Sequence, residues 1–69
     1  MYVSYDDRGD VLYLRLDDVT QDVVNTRVSE DIVFDIGYGD KIVGIEIMNA
    51  SKNIKLDNLL PVKYELSAR

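Results

Sequence analysis

Four side chains of the sequence could together support acid–base chemistry: Tyr13, Arg15, Asp35 and Glu46. Glu46 lies between two isoleucines, and an apolar setting raises the pKa of a carboxyl group. Pairing with Arg15 would oppose that rise, so the two carboxyl groups could differ in protonation, as a general acid and base do. The same residues, together with Gly44, also fit an outer sheet face or a subunit interface that contains one ion pair. We favour this second interpretation.

Other reaction chemistries are excluded by the composition. The chain has no histidine and no cysteine, so neither a Ser-His nor a Cys-His nucleophile pair can form, and thiolate and imidazole metal ligands are missing. The aspartates within residues 6–10 and 17–22 lack the spacing of a calcium loop and are typical of turns. We therefore expect no catalytic residue, no cofactor and no metal site.

Short β-strands must position the candidate residues, because apolar and polar residues alternate with a period of two. Candidate strands cover residues 2–5, 11–16, 23–28, 32–36 and 42–48. One face, the core face, carries the leucines, isoleucines and phenylalanine. The second face carries Tyr13, Arg15, Asp35 and Glu46 among Val11, Val33, Ile42 and Met48. The sequence predicts an α+β, mainly β fold: an antiparallel meander of about five strands, then a short helix and a candidate C-terminal strand.

The loop over residues 37–40 determines how the last two of these strands pair. With an even-length loop, Phe34 lies opposite Val43 and Ile32 lies opposite Ile45, so both apolar rows share one face. An odd-length loop would put the rows on opposite faces, which a half-buried sheet disfavours. We therefore expect the even-length loop.

The same pairing predicts a close contact at Gly44, which then lies opposite Val33. Glycine in the middle of a strand is unfavourable by roughly 0.5–1 kcal/mol, so its presence suggests that something approaches the backbone. The candidates are the ring of Tyr13, the C-terminal segment and another subunit.

Two further pairings are predicted from turn positions. A turn over residues 6–9 sets Val3 opposite Leu12 and Tyr5 opposite Asp10. The register of residues 23–28 stays open, but a loop over residues 29–31 would place three side chains in the core: Val24, Thr26 and Val28.

The alternation ends after Met48. Asn49 or Ser51 could cap a short helix that runs through Ala50 and Ile54 to Leu56, and the residues up to Pro61 end it. Residues 62–66 alternate again and predict a last strand, which either completes the sheet of its own chain or adds to a neighbouring chain.

Size and charge indicate a small self-associating protein. With 69 residues and a net charge of −5, the chain is expected to be a single domain, residues 1–69, whose core is too small to stabilise it easily alone. Disulfides are excluded, so we expect a homo-oligomer, a dimer or higher. Ten acids against three arginines in residues 1–40 predict no nucleic-acid binding and suit a basic protein partner. No apolar run is long enough to cross a membrane, so we expect no membrane contact. The absence of cysteine fits a cytoplasmic location, which we also expect.

Several segments resemble a known family: Tyr5-Asp6, residues 10–16, residues 32–35 and above all Val43-Gly44-Ile45-Glu46-Ile47-Met48-Asn49-Ala50-Ser51-Lys52. Over roughly residues 1 to 55 the chain resembles the small prokaryotic domain of unknown function numbered 2283. The resemblance implies a compact α+β or mainly β domain and carries no established catalytic residues. Some relatives look like the acidic partner in two-gene toxin–antitoxin arrangements.

Two functional hypotheses follow. The first is a non-catalytic interaction module that self-associates and, like an antitoxin, neutralises a small basic protein. The second is a small ligand-binding or hydrolytic domain that uses Arg15, Asp35 and Glu46. A concave pocket that encloses both carboxylates would favour the second hypothesis.

Overall fold

Five antiparallel strands form one sheet in the computed structural model, which describes residues 1–67. They are β1 (Tyr2–Asp6), β2 (Val11–Arg15), β3 (Val24–Arg27), β4 (Ile32–Ile36) and β5 (Ile42–Met48). Their order across the sheet is β1-β2-β5-β4-β3. β1 and β2 form a hairpin, β3 to β5 form a meander, and the pairing of β2 with β5 joins the two units. The mainly β fold and its five antiparallel strands are confirmed.

The strand order departs from the chain order between β2 and β3. Because β5 and β4 lie between these two strands, the connection over residues 16–23 has to pass the ends of both. Two backbone hydrogen bonds start it, since the N–H groups of Leu16 and Asp17 donate to the carbonyl of Val43 at 2.8 and 3.2 Å. Alternation specifies which face a side chain takes but not which strand lies beside it.

The core lies on the predicted face, where the segment after β5 covers the sheet. Leu12, Ile47 and Ala50 form its buried centre, with Leu12 only 1% exposed. The partly buried residues packed against this centre come from the strands and from the covering segment: Val3, Leu14, Ile32, Ile45, Ile54, Leu56 and Leu59.

The hairpin between β4 and β5 corrects the predicted loop. Phe34 lies opposite Ile45 and Ile32 opposite Ile47, two positions from the expected pairing. Next to the loop, Ile36 pairs with Ile42, so the loop has the odd length that the sequence argument rejects. A register shift between Asp35 and Ile36 restores the alternation, because a bulge adds one residue to one strand. The two apolar rows therefore still share a face.

The hairpin between β1 and β2 is also shifted by two positions. Val3 lies opposite Leu14 and Tyr5 opposite Leu12, instead of Leu12 and Asp10. The Asp6 carboxylate accepts hydrogen bonds from the N–H groups of Arg8 and Gly9, and Asp10 takes the positive φ of 56°. The turn therefore closes one residue later than the sequence suggests.

β3 adopts the register that the three-residue loop predicts, since the N–H of Val28 donates to the carbonyl of Ile32 at 2.9 Å. The expected burial does not follow, because β3 is at the edge of the sheet. Val24 is 69% exposed and Val28 is 50% exposed.

The helix after β5 is shorter than predicted. α1 covers Ala50–Asn53, and a separate 3₁₀ turn covers Leu56–Asn58. Asn49 stands at the N-cap position with a φ of 51°, but its side chain makes no capping hydrogen bond. Within the part of the chain that the structure describes, residues 62–66 form no strand, and Tyr64 is 85% exposed. Pairing of this segment with a neighbouring chain stays a prediction.

Candidate functional site

The side chain of Tyr13 crosses β5 at Gly44 and reaches β4. A Cβ atom built on Gly44 would lie 2.5 Å from the Tyr13 hydroxyl oxygen and 3.0 Å from Cζ of the ring. Beyond the glycine, the Tyr13 hydroxyl donates to Oδ2 of Asp35 at 3.2 Å. The approach predicted at Gly44 is therefore present, and the Tyr13 ring is the group that makes it. Glycine is favoured here because any side chain would force the Tyr13 ring to move.

The pairing of β2, β5 and β4 brings the other candidate residues onto one face. Arg15 and Asp35 both lie opposite Gly44, one on each side. Neighbouring strands lie about 4.8 Å apart, so these two residues are two strand spacings apart. Glu46 lies between Tyr13 and Val33. This makes it a diagonal neighbour of both charged residues rather than the direct partner of either.

Asp35 is the most strongly engaged carboxylate of this second face. Besides the bond from Tyr13, it accepts a hydrogen bond from the Asn25 side-chain amide at 2.6 Å. Its two oxygens are therefore used to join β2, β4 and β3. This arrangement favours a structural role, because a general base must keep an oxygen available for the proton it takes.

A cleft of about 260 Å³ opens beside these residues, where the connection from β2 to β3 passes the sheet. Its lining includes Tyr13, Arg15 and Asp35 from the sheet, and Asp17 and Gln21 from the connection. Glu46 is not part of the lining, so this cleft does not enclose both carboxylates of the proposed acid–base pair. The specific arrangement that would favour a hydrolytic site is missing from it.

Most apolar residues of the second face are less exposed than the sequence suggests. Val33 is only 8% exposed, and Val11, Tyr13 and Met48 are half-buried within the single chain. Ile42 of this face is 40% exposed. Large exposed apolar side chains also lie in and beside β3 and in the C-terminal segment, among them Val23, Val24, Val28, Val62, Tyr64 and Leu66.

A hydrogen-bond centre forms at Asp10, a residue that the sequence assigns only to a turn. Oδ1 of Asp10 accepts from the Tyr5 hydroxyl at 2.7 Å and from the Ser51 N–H at 3.0 Å. Oδ2 accepts from the Ser51 hydroxyl at 2.6 Å, and the Asp10 carbonyl accepts from the Ala50 N–H at 2.9 Å. Asp10 therefore caps α1 from a turn about forty positions away and ties β1 to it.

These bonds shift two acidities in opposite directions. The Ser51 hydroxyl, followed by the Tyr5 hydroxyl, lowers the pKa of the Asp10 carboxyl below its ordinary value, because donors favour the charged form. For the Tyr5 hydroxyl, the bond to Asp10 raises the pKa above its ordinary value, since losing the proton would break that bond beside a carboxylate.

Asp31 forms a second centre at the start of β4. Its Oδ1 accepts from the Asn49 side-chain amide at 3.0 Å, and its Oδ2 accepts from the Asn53 side-chain amide at 2.9 Å. Its carbonyl accepts from the Met48 N–H at 2.7 Å. The Asn53 bond, then the Asn49 bond, lowers the pKa of the Asp31 carboxyl. The bonds of Asp31 to the Asn49 side chain and to the Met48 N–H hold Asn49 in its left-handed conformation. This is the point where the chain leaves β5 for α1.

A signal for both centres is present in the sequence. Asp10 and Asp31 each stand one residue before an inner strand, and the segment after β5 offers side-chain donors at every second position: Asn49, Ser51 and Asn53. The role of these donors becomes visible only when the two strand starts are known to lie beside α1.

Comparison with known proteins identifies the family of the chain. The family model described as "Protein of unknown function (DUF2283)" matches residues 2–51. The chain belongs to the DUF2283 family. No curated protein and no solved structure matches it. In this DUF2283 protein the match covers the five strands, the Asp10 centre and the Asp31 centre except for its donor Asn53. It ends at Ser51, one of the donors to Asp10.

Two further observations describe this DUF2283 protein. Across residues 1–67, no helix has both the length and the apolar character needed to cross a membrane. In the same residues, no three acidic side chains are grouped so that they could hold a metal ion.

Proposed function

We propose that this DUF2283 protein is a non-catalytic interaction module that works as a homo-oligomer, at least a dimer, in the cytoplasm. We further propose that it neutralises a small basic protein, as an antitoxin does. The observation that carries the proposal is the exposed apolar surface on β3 and in residues 62–66. Val24 is 69% exposed and Leu66 is 76% exposed.

Self-association is supported by the distribution of apolar side chains. The buried centre of the core is small, with Leu12, Ile47 and Ala50, whereas an edge strand and a whole terminal segment expose large apolar residues. Small domains bury a low fraction of their surface, and contiguous exposed apolar surface is typical of interaction sites.

A basic partner is supported by the charge of the chain. The net charge is −5 and the isoelectric point is about 4.4. Acidic residues concentrate in the turn after β1 and in the connection after β2, which includes Asp17 and Asp18. The second face, with Tyr13, Arg15, Asp35 and Glu46 around Gly44, is the surface we propose for this partner. Electrostatic complementarity of this kind mainly speeds association and selects the partner.

The proposal that the protein is non-catalytic is supported by the hydrogen bonds of Asp35 and by the position of Glu46. Asp35 accepts hydrogen bonds from Tyr13 and Asn25, and Glu46 lies outside the cleft that Asp35 lines. The alternative of a ligand-binding or hydrolytic domain therefore lacks the paired carboxylates on which it depends.

Sedimentation equilibrium of the purified chain tests the oligomeric part of the proposal. We expect a mass of at least twice the 7.9 kDa of one chain at micromolar concentration. A 7.9 kDa species throughout that range would contradict it.

For the partner, a tagged chain isolated from its native cells should retain a small basic protein in stoichiometric amount, and raising the salt concentration should release it. Recovery of only acidic or substoichiometric proteins would contradict this part.

A further inference from the structure

β3 is an edge strand with little protection against pairing. It lies at the end of the strand order, and all four of its residues are exposed. Edge strands are usually protected by proline, by bulges or by outward charges. The one charged residue of β3 is Arg27, and its guanidinium turns back to donate to the carbonyl of Glu30 at 2.6 Å.

The pairing with β4 shows which backbone groups of β3 point outward. The N–H of Val28 donates to Ile32, and in an antiparallel pair alternate residues direct their N–H and C=O groups to the same side. Val24, Thr26 and Val28 therefore point these groups at β4. Asn25 and Arg27 point theirs away from it, where the described chain places no other strand.

The sequence of this strand is complementary to itself. Residues 24–28 read Val-Asn-Thr-Arg-Val, with a valine at each end and threonine at the centre. If two copies pair antiparallel about Thr26, each Val24 lies opposite a Val28, and each Asn25 lies opposite an Arg27. The two residues that direct their backbone groups outward then meet each other, and they can form four inter-chain hydrogen bonds.

We propose that β3 is the dimer interface, and that it pairs antiparallel with β3 of a second copy in this register, with Thr26 opposite Thr26. The proposal rests on the self-association proposed above and names the surface responsible. A two-fold axis perpendicular to the sheet relates the copies, so one ten-stranded sheet forms. Its core faces lie on one side and its second faces on the other, where they stay open to a partner.

Charge distinguishes this register from its neighbours. A shift of one residue towards the C-terminus puts Arg27 opposite Arg27, and like charges directly opposite each other destabilise a pair. The opposite shift puts Val28 opposite Asp22 and loses both pairings of Val24 with Val28. In the proposed register, Arg27 of one copy lies beside Asn25 of the other, next to the Asp35 carboxylate that this amide contacts.

Charge substitutions at the two valines test the interface and its register. Both side chains are at least half exposed, so the substitutions should leave the folded single chain intact. In V24K/V28K, like charges meet at both ends of the pair, and we expect the dimer dissociation constant to rise about 100-fold. In V24K/V28E the introduced lysine of each copy faces the introduced glutamate of the other, and we expect the dissociation constant to return to within about tenfold of the wild-type value. V19K is the matched control, because Val19 is 67% exposed in the connection after β2.

Sedimentation equilibrium of five proteins has distinguishable outcomes: the wild type, V24K/V28K, V24K/V28E, V19K and Y64K, which changes the exposed Tyr64 of the C-terminal segment. The interface would be supported if the dimer is lost in V24K/V28K, recovers in V24K/V28E and is unchanged in V19K. A wild-type monomer would overturn the proposed self-association, and this interface with it. A dimer that persists in V24K/V28K would leave self-association standing and overturn β3 as its site. If the dimer is lost in Y64K and does not recover in V24K/V28E, residues 62–66 of a second copy cover β3 instead. This result would also overturn the proposal.

Discussion

Substitution of Gly44 by alanine tests the contact that organises the second face. The new methyl carbon would lie 2.5 Å from the Tyr13 hydroxyl oxygen and 3.0 Å from Cζ, so the ring must move and the bond to Asp35 is strained or lost. Overpacking costs about 1–3 kcal/mol, and the lower end applies here because the nearest atom is the tip of the Tyr13 side chain, which can move. The lost hydrogen bond costs about 1 kcal/mol. The reduced backbone freedom of alanine offsets roughly 0.5–1 kcal/mol. We expect a net loss of about 1–2 kcal/mol in the free energy of unfolding.

A double-mutant cycle with Tyr13 makes the prediction specific. In the background of Y13A, where nothing crosses the glycine, G44A should stabilise the chain by about 0.5–1 kcal/mol. The interaction free energy between the two sites should therefore be about 2 kcal/mol. Y13F is the matched control: it removes the nearest atom and keeps the ring, so G44A should cost less there than in the wild type.

Urea unfolding followed by circular dichroism measures each corner of the cycle. In a domain of this size, a loss of 1–2 kcal/mol lowers Tm by roughly 4–16 °C, so thermal unfolding provides a second readout. If G44A were equally stabilising in the wild type and in Y13A, the ring would not be held over Gly44, and our explanation of this glycine would be refuted.

Three further predictions concern pH and nucleic acid. The Asp10 and Asp31 carboxyl groups have a lowered pKa in the folded chain, so their stabilising effect is present above about pH 4 and is lost as the pH falls further. D10N and D31N should each reduce the loss of unfolding free energy at acid pH. An unchanged loss would contradict this. The Tyr5 hydroxyl has a raised pKa, so its contribution to stability is present below pH 10 and is lost above it. Y5F should reduce the loss of unfolding free energy at alkaline pH. Y2F, which changes a tyrosine with no bond to Asp10, should not. The wild-type chain should not bind random duplex DNA at physiological salt in fluorescence anisotropy, because its net charge of −5 provides no counterion release; submicromolar binding that weakens with salt would overturn this.

The alternation of apolar residues predicts the strands and their faces but not the pairing register. Both hairpins are shifted by two positions, because a shift of two keeps every side chain on its face and leaves the apolar pattern equally satisfied. The choice depends on turn details, such as the positive φ of Asp10 and the bulge beside Ile36. These details are not expressed in hydrophobic periodicity.

The candidate site is predictable to a similar extent. A glycine in the middle of a strand correctly indicates a close approach at Gly44, although Gly44 lies opposite Asp35 and Arg15 and not opposite the predicted Val33. Only the pairing of β2 with β5 selects Tyr13 among the three candidates. The roles of Asp10 and Asp31 depend on contacts with α1 that join distant parts of the chain, and a single sequence does not reveal which turns lie beside a helix.

Amide hydrogen exchange along β3 tests most directly whether the protein works as a dimer joined through this strand. In a single chain the N–H groups of Asn25 and Arg27 point to solvent and should exchange rapidly, whereas the Thr26 N–H points at β4 and is protected. We predict that, in the wild type, all three are protected and that protection of Asn25 and Arg27 falls on dilution. In V24K/V28K only Thr26 should remain protected. Rapid exchange at Asn25 and Arg27 in the concentrated wild-type protein would contradict the proposed dimer.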